Sequence, residues 1–402
     1  MIAVTASPRA AGLLTRLRAV WPEPVPLTMH RAFGGGAGTS YLVLPSLRRP
    51  VLLVPADSAA AATAFRRVDD GQRAWAGWRV LAWAQQHRLL RLLPVGRVRV
   101  GDPEASGVVA AVRAAVPDTH TMVVRLGRPR HGRAVVLQAL AGDGRSLAFA
   151  KCAFGSRTAD LRSEHAALAA VGSAPAAGVR APRVLGFDDS DGQVVLVLEA
   201  LVPTRPSDGA GVPAAAMRAL ADRIGSRSVP VSGAPVVARL RAQVDALSDQ
   251  GARRWLMDEL DRLVADLGDV PIRCGDWHGD WVGWNMAREG DTVLLWDWEH
   301  HETGVPRGLD HVHHLAQDLR VRLGTSAAVE DRWLIAAEHA LADDWGIRGD
   351  AAQATLRIYL LVVNLRYVED REGDPRGPAR RDGWSRSLLA RMGANRPSGR
   401  AS

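Results

Sequence analysis

Three polar side chains within one short stretch could do chemistry together: Asp280 and Asn285 in HGDWVGWN and, after the turn at Glu289 to Asp291, Asp297 in VLLWDWE. The apolar run VLLW ends in a carboxylate, which places Asp297 at the end of a buried strand and leaves Asp280 and Asn285 on the loop before its hairpin. An Asp and an Asn five residues apart on a loop, with an Asp on the next strand, supply one general base and two oxygen ligands for magnesium. Taken singly, each residue has a plain reading, an Asp at a turn or, for His278, a satisfied core histidine. Taken jointly, the spacing, the residue types and the flanking strand agree.

A second candidate lies far upstream. All but one of the 51 basic residues are arginine, and the exception is Lys151. In a chain that otherwise uses Arg, a lone Lys marks a site that wants a compact ammonium instead of a planar fork, unless chance placed it. In the strand SLAFAKCAF, Leu147, Phe149 and Ala153 share its face, so the ammonium emerges among apolar groups and needs an anionic partner. In the helix LRSEHAALAAV, Leu161, Glu164, Leu168 and Val171 recur at helical spacing, so Glu164 faces inward. A Lys151–Glu164 pair would satisfy both charges; the alternative is a Glu at the edge of its stripe, reaching solvent beside an Arg.

These residues resemble the aminoglycoside phosphotransferase and choline kinase group of the protein-kinase-like superfamily, whose catalytic loop reads H-G-D-x-x-x-x-N and whose magnesium-binding Asp opens a D-W/F-E-type triplet. The resemblance covers about residues 120 to 390, and its specific motifs are Lys151, Glu164 and the stretch from His278 to Asp310. It implies that Asp280 takes or orients the proton of a substrate hydroxyl, that Asn285 and Asp297 bind Mg2+, and that His278 braces the loop. It implies that Lys151, bridged to Glu164, holds the α- and β-phosphates of ATP (or GTP). It also implies that Phe149 stacks on the adenine, a core phenylalanine being the equal alternative, and that Glu199 to Leu201 form the hinge that meets the adenine edge. Asp310 would be the group's structural Asp after a Gly/Pro turn. His-Gly-Asp, in place of His-Arg-Asp, points to small-molecule kinases. The chain departs from the group at LGRPRHGR, where a Gly-rich loop would cover the phosphates, and at Trp281 and Trp284. With Trp277, Trp296 and Trp298 these crowd the loop and are read as packing.

Other features are set aside on their own chemistry. GGGAGTS lacks the Lys and the preceding strand of a phosphate-binding Walker loop and reads as a turn. The histidines His300, His301, His311, His313 and His314 do not have the spacing of a common zinc site. Cys152 and Cys274 are too few for a disulfide framework and read as buried thiols in a reducing compartment. The net charge of +8 is scattered, with no basic run interleaved with aromatics, so nucleic acid is not an expected partner. No apolar stretch is long enough to span a bilayer, and Arg9, Arg16 and Arg18 interrupt the start, so a cytoplasmic location is expected.

The elements that must position these residues follow a simple order. Residues 1–115 read as an N-terminal α/β accessory module of unknown role, with strands SYLVLPS and PVLLVPA followed by helical patterns. Residues 116–202 read as strand, strand, strand, helix, strand, strand, and residues 203–395 as mainly helical around the motif-rich segment; 396–402 form a tail. The expected fold is therefore α+β, a bilobal protein-kinase-like fold with an antiparallel-sheet N-lobe, a helical C-lobe, and ATP with magnesium between them. The expected activity is ATP-dependent phosphorylation of a hydroxyl on an aminoglycoside-, sugar- or nucleoside-like small molecule; the alternatives are a nucleotide-binding pseudokinase and an arginine-rich nucleic-acid binder.

Overall fold

The computed structural model describes residues 8–30, 37–67, 71–126, 134–155, 158–190, 192–203, 211–373 and 383–394. The expected phosphate-covering loop at 127–133, most of the Gly-rich stretch at 34–38 and the tail at 396–402 lie outside the described residues. The chain is α+β and divides into two compact units, one made of residues 1–166 and 182–202, the other of 167–181 and 203–402. No described helix is long and apolar enough to cross a membrane.

In the first unit, α1 (Pro8–Leu17) precedes β1 (Leu27–His30), β2 (Thr39–Ser46) and β3 (Arg49–Pro55). After α2 (Gly71–Gln86) come β4 (Arg97–Val100), α3 (Gly107–Ala115), β5 (Thr121–Arg125), β6 (Val135–Leu140) and β7 (Ser146–Phe154). Next is α4 (Thr158–Ser173); β8 (Val179–Arg180) belongs to the second unit, and β9 (Val184–Ser190) and β10 (Gln193–Glu199) return to the first. Nine strands form one sheet in the order β1-β4-β2-β3-β5-β6-β7-β10-β9, with every neighbouring pair antiparallel.

The sheet does not break at residue 115. β3 pairs with β5 through Leu52↔Arg125 and Leu53↔Val124, so the strands expected to form a separate module extend the same sheet. Alternation explains the faces but not this edge. Tyr41 and Val43 turn to the core shared with α1 and α3, while Leu42 and Leu44 turn to the core beneath α2 and the 3-10 turn at Ala60–Arg67. Period-two patterning records which face a side chain takes, whereas the backbone partner of an edge leaves no such mark. The four-residue strands β1 and β4 carry too few positions for the alternation to stand out in the sequence.

The second unit is mostly helical: α5 (Ala214–Ala221), α6 (Pro235–Asp245), α7 (Gln250–Leu267), α8 (Leu309–Leu323), α9 (Ala327–Trp345), α10 (Gly349–Gly373) and α11 (Gly383–Ala394). α10 is buried on all sides over Thr355–Leu365 and packs against α6, α7, α8, α9 and α11, as a helix apolar around its circumference must. Strands β11 (Arg227–Pro230), β12 (Pro271–Trp277) and β15 (Glu302–Pro306) form one small sheet. The hairpin of β13 (Met286–Glu289) and β14 (Thr292–Leu295) forms another with β8. The loop from His278 to Asn285 thus leaves the end of β12 and enters the hairpin.

Candidate active site

The residues singled out in the sequence fall into two sets, one in each unit. In the second unit, His278 is fully buried where the loop begins. Its Nδ1 accepts the backbone N–H of Asp280 (3.2 Å) and its Nε2 donates to the carbonyl of Trp296 (3.1 Å); these partners assign the tautomer. Burial pulls its pKa down to about 4, against the nearby charges of Asp280 and Asp297, so the ring is neutral at pH 7. A neutral ring is what the bonds require, since one nitrogen must accept.

Asp310 grips the same turn from the first turn of α8. Its Oδ2 accepts the N–H of His278 (2.8 Å) and its Oδ1 the N–H of Gly279 (3.0 Å). Burial pushes this carboxyl up to about 7, against the opposing pull of those two bonds. Gly279 has φ +84°, and a Cβ there would sit 2.1 Å from the carbonyl oxygen of His300, so both backbone conformation and space demand glycine. Its own carbonyl accepts from Arg366 (2.7 Å), whose guanidinium lies over the Trp277 ring at 4.8 Å.

The Asp280 side chain remains one-third exposed (34%). Its Oδ2 accepts from Asn285 Nδ2 (2.8 Å), and its Oδ1 lies 3.1 Å from His313 Nε2. Burial works to raise its pKa, but the hydrogen bond and charge of His313, with His300 and His278, outweigh burial and hold the carboxyl well below the usual carboxylate range. Asn285 is buried and also donates Nδ2 to the Asp280 carbonyl (3.0 Å), so the amide oxygen is the atom a cation would meet. Its own carbonyl accepts the N–H of Trp296 (3.0 Å), which brings the loop against the residue before Asp297.

Asp297 departs from its expected place at the end of a strand. β14 stops at Leu295, and Asp297 takes φ +67° and ψ +64°, a left-handed conformation that costs a non-glycine residue about 1–2 kcal/mol. Non-glycine residues in this region are held there by their surroundings and cluster at functional sites. Of the tryptophans around the loop, Trp277, Trp281 and Trp298 are fully buried packing residues, whereas Trp284 is 47% exposed.

In the first unit, Lys151 lies mid-sheet on β7, between Val136 and Leu196. Its Nζ donates to both oxygens of Glu164, each at 2.7 Å. Glu164 stands on α4 between the buried Leu161 and Leu168, as the helical spacing predicts. Phe149 shares the Lys151 face and is partly buried. The Glu199 carboxylate accepts from the Arg183 side chain (3.2 Å), and Leu201 is buried.

The sequence reading set His313 aside with its neighbouring histidines, yet it meets Asp280. A signal was present, since Asp310 and His313 stand at i and i+3 and so share one face of α8. Two of the other histidines go elsewhere: His311 accepts from Trp345 Nε1 (3.3 Å), and His314 bonds the Trp281 carbonyl (3.3 Å).

No protein-family model matches the sequence, and no curated protein matches it. Among solved structures the chain is similar to a thermostable mutant of the aminoglycoside phosphotransferase APH(4)-Ia in ternary complex with ADP and hygromycin B, at 12% identity and a TM-score of 0.45, covering 70% of this chain and 96% of that one. It is also similar to choline kinase LicA from Streptococcus pneumoniae (13%, TM-score 0.46, 71% and 98%) and to a choline/ethanolamine kinase family protein from Mesorhizobium loti (16%, TM-score 0.44, 71% and 91%).

Proposed function

We propose that the chain is an ATP-dependent phosphotransferase that phosphorylates a hydroxyl of a small molecule, with Asp280 as the general base. The reading is carried by one arrangement: an ionised, partly exposed Asp280 whose loop is held by Asp310 and His278 and whose neighbour Asn285 turns its amide nitrogen inward. A carboxylate kept anionic and reachable by solvent can accept a hydrogen bond from a substrate hydroxyl and orient it, taking the proton as the hydroxyl oxygen bonds to phosphorus and becomes acidic. The Asn285 amide oxygen and the Asp297 carboxylate are hard oxygen donors of the kind magnesium takes; bound there, the metal would neutralise charge on the transferring phosphoryl group. Lys151, fixed by Glu164, would hold the phosphates of the nucleotide. Catalysis in such a site rests on positioning and charge neutralisation more than on covalent chemistry.

The acceptor is read as an alcohol because a general base serves a hydroxyl and has no role toward an acceptor that is already anionic. A screen of aminoglycosides, sugars, nucleosides and choline with Mg-ATP, followed by 31P NMR of the products, tests the reading. The expected result is a new phosphate ester from at least one class, lost in Asp280→Asn with nucleotide binding retained. Full turnover by Asp280→Asn would remove Asp280 from the base role, and nucleotide binding with no transfer to any acceptor would favour the pseudokinase reading.

A further inference from the structure

We infer that His313, itself set by Tyr359, is the positioning residue that orients Asp280 for proton abstraction; the inference rests on the reading of Asp280 as the base. Three side chains from separate parts of the second unit form a line. The Tyr359 hydroxyl on α10 lies 3.2 Å from His313 Nδ1, and His313 Nε2 on α8 lies 3.1 Å from Asp280 Oδ1 on the loop. Tyr359 is fully buried, and its ring meets the His313 ring edge-on at 6.0 Å between centroids. His313 is 5% exposed.

Hydrogen placement follows from the partners. The phenol has a proton to give, so Nδ1 of a neutral His313 accepts it and the ring hydrogen sits on Nε2, facing Asp280. The opposite tautomer would set the Nε2 lone pair against a carboxylate oxygen. A protonated His313 also presents Nε2–H to Oδ1, with the hydroxyl then accepting at Nδ1. In either charge state the donor faces Asp280.

The consequence concerns orientation. Asn285 holds Oδ2 from within the loop, and His313 holds Oδ1 from α8, so the carboxylate plane is defined before an acceptor arrives. α8 fixes the loop twice, through Asp310 on its backbone and through His313 on its reactive side chain. Misorientation of a reacting group is costly in rate even where binding is unaffected.

Two measurements with purified full-length protein and its variants test this. In 15N-histidine-labelled protein, the His313 Nε2–H resonance, assigned by its loss in His313→Gln, should shift in Asp280→Asn and in Tyr359→Phe. An unmoved resonance in a folded Asp280→Asn protein overturns the pairing. In steady-state hydrolysis of Mg-ATP without added acceptor, His313→Leu should lower kcat about tenfold or more with the KM for Mg-ATP unchanged within about twofold. His313→Gln, whose amide N–H can stand in for Nε2–H, should recover a substantial part of that loss. Equal losses in His313→Gln and His313→Leu, or a rise in KM with kcat intact, overturn the positioning role. A wild-type rate in Asp280→Asn overturns the catalytic reading itself, whereas a low rate in Asp280→Asn beside a wild-type rate in His313→Leu overturns this inference alone.

Discussion

Glu164 places both of its carboxylate oxygens 2.7 Å from Lys151 Nζ, with the Glu164 side chain fully buried and that of Lys151 only 13% exposed. Desolvating both charges is costly, and their attraction repays it only while both are present. Lys151→Met should therefore cost about 3–5 kcal/mol, because it takes the paired cation away from a fully buried carboxylate. The double variant Lys151→Met/Glu164→Leu should be more stable than Lys151→Met alone. Urea unfolding of the four proteins in the cycle measures this, and additive effects would mean that the pair is not coupled.

The lysine composition supplies a chemical test of the nucleotide site. An acyl-phosphate ATP probe acylates amines beside bound phosphates, and Lys151 is the only side-chain amine among the 51 basic residues. Mass spectrometry should find the acyl group on Lys151, with labelling suppressed by excess Mg-ATP. An unlabelled Lys151, or labelling that Mg-ATP does not reduce, places the phosphates elsewhere.

What could be read in the sequence was local. Asp280 and Asn285 lie on one short loop, and Glu164 faces inward because its neighbours recur at helical spacing, so periodicity and loop chemistry reach them. The His313–Tyr359 contact joins residues 46 apart on two helices, and a histidine among five in one short segment carries no mark of which neighbour it will meet. The continuation of the sheet from β3 to β5 was hidden for a related reason, since it depends on backbone edges. The backbone of Asp297 could not be foreseen, because an aspartate after an apolar run fits an extended strand equally well.

That backbone predicts an opposition between stability and activity. At φ +67° the Asp297 position suits glycine, and a β-branched residue there is strained. Asp297→Gly should unfold within about 1 kcal/mol of wild type, or slightly above it, while Asp297→Val should fall about 1–2 kcal/mol below Asp297→Gly. Both should lose magnesium-dependent turnover of ATP, since both remove the carboxylate. Equal thermal stability of the two variants would show that the conformation stores no strain.

Two buried groups, His278 on the loop and Asp310 holding it from α8, give opposite pH dependences. Asp310 has a folded pKa of about 7 against an ordinary 3.8, so between these values the folded state holds a proton that the unfolded state has lost. Its contribution is fully present below about pH 4 and is lost as pH rises through about 7. His278 has a folded pKa of about 4 against 6.5, so its contribution is present above about pH 6.5 and is lost as pH falls through about 4. Across pH 4 to 6.5 the two slopes oppose each other, and Asp310→Asn should expose the His278 slope. Urea unfolding of Asp310→Asn should show stability that falls more steeply on acidification over this range than that of wild type. Between pH 6.5 and 8 the variant should lose the decline with rising pH that Asp310 imposes on wild type. Parallel stability curves for the two proteins would mean that Asp310 is ionised in the folded state throughout, held so by the two backbone N–H groups it accepts from His278 and Gly279.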